Sequence, residues 1–340
     1  MKTVVISGGT GTFGQAMTRF LLKAYPEITI RILSRGEWLQ QQMARTLPDP
    51  RVRFLLGDVR DLDRLRMAFA GADLVLHAAA LKQVDKGEYD GIEFIKTNII
   101  GTQHVVTACQ DAGVTQAIFL SSDKACHPVN LYGATKAVAE RLWIQANHYQ
   151  PCGTRLAAVR YGNVMGSRGG VLETWRQMLS EGKPLPLTDP QMTRFWMTIA
   201  EAVRLVDWVA QHGLRGGIVV PHLPAFRLDE LAYALQADEQ RLPFHVIGCR
   251  PGEKLAEELM TPEELARAWV CGPSTQCPVS YCIPPVVHEW GASDPQVLWR
   301  EVPAETLAAP LSMGSTGTYA SDTWRWRLRV PDLRQRLQEV

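Results

Sequence analysis

The sequence predicts an α/β protein built on a doubly wound parallel sheet, with a smaller C-terminal lobe. Two observations carry this expectation. As far as Gly162, short apolar runs alternate with amphipathic helical stretches, the pattern of a parallel sheet with right-handed crossovers. Beyond Gly162, Gly and Pro become frequent and the elements shorten. A chain of 340 residues suffices for one large domain or two coupled ones.

The elements follow in order. Strands are expected at Thr3–Ser7, Thr29–Leu33, Arg53–Leu56, Leu74–His77, Ala117–Ser121 and Leu156–Tyr161. Helices are expected at Thr12–Ala24, Glu37–Arg45, Leu62–Phe69, Gly91–Ala112 and Tyr132–His148. The expected division is a sheet domain over 1–165 and a lobe over 166–340. Gly166–Arg194 and Pro221–Glu258 supply the lobe, while helix Ile199–Gln211 and strand Gly217–Val220, within 196–220, return to the sheet. The Pro- and Trp-rich C-terminal stretch reads as an irregular cap or an oligomer contact.

Composition bounds the function. A formal net charge of +1 lacks the basic excess of a nucleic-acid binder, so an anionic ligand needs local basic groups. No apolar run approaches a membrane span, and Thr3–Ser7 runs straight into glycines, as a first strand does and a signal peptide does not. Seven cysteines are scattered without CxxC spacing, which points to free thiols in a reducing cytoplasm and to no metal.

Ser7-Gly8-Gly9-Thr10-Gly11-Thr12-Phe13-Gly14 follows the first strand and opens the first helix. Gly9, Gly11 and Gly14 fit GxGxxG; Gly8, Gly11 and Gly14 fit GxxGxxG. Glycines there permit a tight turn and close approach of backbone amides to a pyrophosphate at a helix N-terminus. Thr12 and Phe13 sit in the first turn of that helix and join the candidate cofactor contacts. An NAD enzyme usually carries an acid about 20 residues further on, for the ribose 2′-hydroxyl. This chain has Ser34-Arg35 instead, and a hydroxyl with a guanidinium suits a 2′-phosphate, so the expected cofactor is NADP. Asp58 and Val59 end the third strand beside the expected adenine site, and Ala78 and Ala79 follow His77 with small side chains. His77 itself reads as a satisfied core histidine.

Ser122, Tyr132 and Lys136 form a Ser…Tyr-x-x-x-Lys set. Tyr132 and Lys136, four apart, share a helix face, and both join the candidate cofactor contacts. Ser122 lies just past a strand end, where active sites of open α/β sheets lie. A lysine ammonium and an oxidised nicotinamide both lower a phenol pKa, which would let Tyr132 take a proton from a sugar hydroxyl as hydride leaves the carbon.

These motifs resemble the extended short-chain dehydrogenase/reductases, with the Rossmann fold. HAAALKQV (77–84), KTNIIGT (96–102), LSSDKACHPVNLYGATK (120–136), RYGNVMGSRGGV (160–171), TDPQMTRFW (188–196) and RPGEKL (250–255) resemble, more narrowly, the inverting UDP-N-acetylglucosamine 4,6-dehydratases of pseudaminic acid synthesis. The resemblance covers residues 1 to about 260, with an echo at Tyr319–Thr323. Longer, membrane-bound relatives carry Met where this chain has Tyr132, so the short soluble branch is implied. Gly36, Asp85 and Asp90-Gly91 depart from the family pattern.

The resemblance implies roles. Ser122-Asp123-Lys124 falls on the family's Thr-Asp-Lys triplet, with Asp123 the acid for the departing 6-hydroxyl and Lys124 the base at C5. Oxidising C4 to a ketone acidifies the C5 proton, and a lysine near Lys136 and the nicotinamide charge is expected to have a lowered pKa. Arg168, Arg194 and Arg250 suit a pyrophosphate and a uridine, Glu253 the ribose, and Asn163 the diphosphate or sugar. Lys82, on the loop after the fourth strand, is expected to face the sugar. The expected partners are a UDP-sugar and further copies of the chain, with no nucleic acid and no membrane. Retaining dehydration, C4 epimerisation and a non-catalytic NADP-binding regulator are the rival readings. The Asp123–Lys124 pair argues against simple epimerisation, and the intact Ser122, Tyr132 and Lys136 against the regulator.

Overall fold

The computed structural model describes residues 1–149, 153–167, 169–212, 215–236, 243–271, 280–286 and 318–340. Its centre is a nine-stranded sheet. Strands β1 (Thr3–Ser7), β2 (Thr29–Ser34), β3 (Val52–Leu56), β4 (Leu74–His77), β5 (Gln116–Leu120) and β6 (Arg155–Val159) are parallel, and Ile218–Pro221 continues the parallel run beside β6. Across the sheet the order is 269–271, 280–283, 218–221, β6, β5, β4, β1, β2, β3. The order reverses between β1 and β4, which puts the crevice for a ligand outside the carboxyl ends of those strands.

Burial explains the strand composition. β1 reads Thr-Val-Val-Ile-Ser, with Val4, Val5 and Ile6 inaccessible, because helices cover both faces of the sheet. One face packs on α1 (Thr12–Ala24) and the helix Ile199–His212; the other packs on α3 (Leu62–Phe69), α6 (Gly101–Asp111) and α7 (Leu131–Gln145). Between β2 and β3 lies α2 (Glu37–Thr46), and the short helices α4 (Val84–Tyr89) and α5 (Gly91–Phe94) follow β4.

The expected single helix over 91–112 is interrupted. A π-helical turn, Ile95–Ile100, lies between α5 and α6. Buried Asn98 sits in it and explains its use: its Oδ1 accepts from Leu81 N at 2.8 Å, and its Nδ2 donates to Leu81 O at 2.9 Å and Thr135 Oγ1 at 3.0 Å. The widened turn aims this amide at two other segments, a use typical of π-bulges at functional sites.

The C-terminal region is not an irregular cap over its described residues. Trp269–Cys271 and Ser280–Ile283 add two antiparallel strands to the sheet edge. Tyr319–Ala320 pairs with Glu258–Met260, and helix Val330–Leu337 packs on helix Leu228–Leu235. These strands are two to four residues long, too short for a period-2 signal, so only the pairing reveals them. The lobe has its own core, with Leu172, Trp175, Trp196, Phe226, Leu231 and Leu333 buried together.

Arg160, just past the end of β6, is paired on two sides. Its guanidinium, 3% exposed, is 2.7 Å from Glu140 on α7 and 2.7 Å from Glu264 in the turn Pro262–Leu265. Removing one partner of a buried ionic cluster leaves an uncompensated charge, at about 3–5 kcal/mol.

Candidate active site

The glycine turn works by close approach. Gly8 has φ 71°, and a Cβ there would lie 2.8 Å from Ala79 Cα, so no side chain fits between the turn and the end of β4. Gly8, Gly11, Thr12, Phe13 and Gly14 thus share the crevice edge with Ala78 and Ala79. Val59, buried, packs against Gly101. Ser34 ends β2, where its hydroxyl accepts from Gln40 Nε2 at 3.0 Å. The Arg35 side chain is half exposed, with Nη1 3.8 Å from Asp58 Oδ2. Burial opposes ionisation of Asp58, but Arg60, 2.7 Å away, and Arg35 hold its pKa below the ordinary carboxylate value.

His77 is satisfied and buried. Its Nδ1 meets Ser7 Oγ at 2.7 Å and its Nε2 meets Thr102 Oγ1 at 3.0 Å, while the ring stacks on Trp143. Thr102 Oγ1 donates to Asn98 O, so Nε2 carries the proton and Nδ1 accepts from Ser7. Burial, with Lys136 nearby, pushes the His77 pKa down to about 3, so the ring is neutral.

The second cluster forms where β5 ends. Ser122-Asp123-Lys124 enters a 3-10 turn that α7 approaches very closely: a Cβ on Gly133 would lie 2.3 Å from Lys124 O. Asn130 caps α7, accepting from Gly133 N at 2.8 Å, and donates through Nδ2 to Gly252 O at 2.8 Å. These contacts bring Ser122, Asp123, Lys124, Tyr132 and Lys136 together. Tyr132 and Lys136 are buried on one face of α7.

The two lysines differ. Lys136 Nζ donates to Leu120 O at 2.6 Å and lies 3.9 Å from the Phe119 ring centroid. Burial pulls its pKa down to about 7, with Glu140 opposing. Lys124 Nζ meets Asp123 Oδ1 at 3.0 Å, Asn163 Oδ1 at 3.3 Å and Glu257 Oε1 at 3.4 Å. Burial opposes its charge, but the Asp123 and Glu257 carboxylates more than offset this and hold its pKa above the ordinary value. This corrects the expected lowering, because the sequence did not place Glu257 beside Lys124. Burial raises the Tyr132 pKa, while Lys124 and a hydrogen bond with Ser122 lower it. Burial outweighs them, so the phenol pKa lies above its ordinary value, with Lys124 the cation that opposes the rise.

A cavity of about 360 Å³ opens beside this cluster, lined by Lys124, Asn163, Arg194, Arg250, Glu253 and Glu257 among others. Arg194 is fixed by Nη1 donating to Thr193 O at 2.7 Å. Arg250 and Glu253 face each other across a turn, Arg250 N donating to Glu253 Oε2 at 3.1 Å. Lys82 is exposed and outside this lining. Arg168 lies outside the described residues.

Three residues escaped the sequence reading of the site. Asn98 and Asn130 sit inside quoted motifs, and Asn130 before a helix is an N-cap signal; Glu257 lies just past RPGEKL, with no spacing cue. Cys126, His127 and Glu258 also bring one ligand atom each within 4.8 Å of one another, with His127 Nδ1 hydrogen-bonded to Glu258.

Residues 4–274 match the family described as polysaccharide biosynthesis protein. The inverting UDP-N-acetylglucosamine 4,6-dehydratase of Campylobacter jejuni is 44% identical over 77% of this chain and 78% of its own. A UDP-glucose 4-epimerase of Rickettsia conorii is 42% identical over 78% of this chain and 80% of its own. Among solved structures, Pen from Bacillus thuringiensis matches with TM-score 0.85 and 31% identity over 99% of this chain and 97% of that one. The dTDP-glucose 4,6-dehydratase DesIV of Streptomyces venezuelae, with NAD and TYD bound, shares the fold at TM-score 0.66 and 24% identity over 74% and 86% of the two chains. On this likeness and on its own glycine turn and Ser-Tyr-Lys cluster, the chain belongs to the polysaccharide biosynthesis protein family, on the extended short-chain dehydrogenase/reductase fold.

Proposed function

We propose that this enzyme dehydrates UDP-N-acetylglucosamine across C5 and C6 with inversion at C5, using NADP. The observation that carries the reading is Lys124 Nζ at the cavity wall, 3.0 Å from Asp123 Oδ1 and beside Tyr132. Epimerisation at C4 needs a base for the 4-hydroxyl and no acid–base pair for C5 and O6. The relatives carry both printed names, so the pair in the site, more than overall identity, separates the readings.

The residues present fit a dinucleotide. Gly8 leaves room that a Cβ would fill, and the half-exposed Arg35 offers a fork for a 2′-phosphate. When bound, the nicotinamide supplies a hydride acceptor for C4 and returns the hydride to C6, so the cycle is redox-neutral. Tyr132 takes the O4 proton, with Ser122 holding its hydroxyl. Lys124 takes the C5 proton, and Asp123 protonates the leaving 6-hydroxyl. Asp123 Oδ1 already accepts from Ser122 Oγ at 2.7 Å and Lys124 N at 2.9 Å, so the buried, unpartnered Oδ2 is the oxygen free to carry that proton. Arg194, Arg250, Glu253 and Asn163 line the cavity for the UDP moiety.

Among the described residues no helix is long and apolar enough to cross a membrane. A cytoplasmic homo-oligomer completes the reading: Ile92, Ile95, Ile100 and Val138 are apolar and exposed on neighbouring helical segments.

The test is turnover of UDP-N-acetylglucosamine with catalytic NADP in deuterated water. Expected is a 4-keto-6-deoxy sugar with deuterium at C5 and the L-arabino configuration by NMR. A product with its C6 hydroxyl intact would establish epimerisation instead, and a retained C5 at the earliest time points would overturn inversion.

A further inference from the structure

Glu257 is 3% exposed, yet it lines the same cavity as Lys124, Asn163 and Arg194. Its backbone is clamped by the C-terminal segment. Glu257 N donates to Ser321 Oγ at 2.9 Å, Ser321 N donates to Glu257 O at 2.8 Å, and Ser321 Oγ meets Thr193 Oγ1 at 2.8 Å. Lys124 Nζ faces three oxygens, on Asp123, Asn163 and Glu257, and an ammonium has three N–H groups. It donates to Asp123 and Asn163, stands 3.4 Å from Glu257 Oε1, and as an ammonium has no lone pair to take a substrate proton. It must first give a proton to one of these neighbours, and the Asn163 amide oxygen is no base.

The two carboxylates are supplied differently. Asp123 Oδ1 accepts from Ser122 Oγ, Lys124 N and Lys124 Nζ. Glu257 Oε1 has only longer ion pairs, 3.4 Å to Lys124 and 3.7 Å to Arg194, and its Oε2 is buried without a hydrogen-bond partner. Hydrogen bonds favour a charged carboxylate; dry burial beside another carboxylate favours the protonated form.

We propose that Glu257 takes the proton Lys124 must shed, and so turns Lys124 into a base; this rests on the dehydratase reading above. The Lys124 ammonium and Glu257 carboxylate become an amine and a carboxylic acid. The amine then takes the C5 proton. The C5–H electron pair becomes the C5–C6 double bond. The Glu257 proton passes to the Asp123 carboxylate, which delivers it to the departing 6-hydroxyl; the C6–O bond breaks, water leaves, and the Lys124 ammonium with its two carboxylates is restored.

The charged and titratable groups facing Glu257 are Asp123 and Lys124 from the turn after β5, Tyr132 from α7, Arg194 from Thr193–Phe195, and Lys254 from the preceding loop. Burial first, then Asp123, pushes the Glu257 pKa above the ordinary carboxylate value, against Lys124, Arg194 and Lys254. Only ionised Glu257 can accept, so elimination falls as pH drops through that raised pKa.

The holoenzyme is assayed with UDP-N-acetylglucosamine as wild type, Glu257→Gln and Glu257→Asp, following water loss and reduced-cofactor absorbance against pH. Glu257→Gln is expected to slow elimination by about 10²-fold in kcat. It should still oxidise C4, build up reduced cofactor and lose the acid limb. Glu257→Asp should recover rate and limb in part. A Glu257→Gln variant that dehydrates at the wild-type rate, or slows with the acid limb intact and no reduced cofactor, overturns the inference. If that variant does not fold, Glu257→Asp decides: its shorter reach should displace the acid limb, and an unchanged profile overturns the inference. Wild-type enzyme that releases no water from the substrate would overturn the dehydratase reading itself.

Discussion

Two lysines, Lys124 and Lys136, stand at opposite ends of one catalytic segment and are pushed in opposite directions. Lys136 is buried against a carbonyl and an aromatic face, with Glu140 the anion that opposes the shift, and its pKa falls to about 7. Lys124 lies between two carboxylates and is held above the ordinary lysine value. Burial disfavours charge at both; the anions that tertiary packing supplies decide the sign. On the proposed reading, Tyr132 forms the oxidation corner of the site, and Asp123 with Lys124 forms the elimination corner at C5 and O6.

The largest expected effect breaks the oxidation corner. Tyr132→Phe removes the proton acceptor and keeps the ring, so turnover should fall about 10²–10⁴-fold, with no reduced cofactor formed. A fully active Phe variant would show that Tyr132 is not the base.

Next in size, Lys124→Ala and Asp123→Asn break the elimination corner alone. Water loss should slow by about 10²–10³-fold while C4 oxidation continues, seen as reduced cofactor building up on mixing with substrate. Normal dehydration by Lys124→Ala would refute its role at C5 and leave the oxidation corner untouched.

A direct comparison of the lysines sharpens the contrast without mutation. By nitrogen-15 NMR of labelled lysines in the cofactor-free chain, Lys136 should lose its proton as pH rises through about 7, whereas Lys124 should stay charged beyond the ordinary lysine range. Titration of both at the same pH would remove the distinction.

The smallest effect lies at the far end of the crevice. Arg35→Ala should weaken NADP binding roughly tenfold, one charge-assisted hydrogen bond being about 1.5–3 kcal/mol before solvent screening. Binding of NAD should change little, because it lacks the 2′-phosphate. Equal losses for both cofactors in a binding titration would remove Arg35 from the 2′-phosphate site.

Much of this was readable along the chain. The apolar runs from β1 to β6, the glycine turn and the four-residue spacing of Tyr132 and Lys136 are local patterns, set by strand burial, backbone approach and helix periodicity. Asp123 and Lys124 came into view through motif resemblance. What tertiary structure alone decided depends on contacts between distant residues. Glu257 meets Lys124 because Ser321 clamps its backbone, and Asn98 joins Leu81 to Thr135 through a π turn that no periodicity announces. The antiparallel edge strands 269–271 and 280–283 are too short to carry a pattern and exist through their partners. A side chain's identity is local, but its protonation depends on which charges are packed against it. The chain by itself determined the two lysines, and only the folded site determined which of them is held charged.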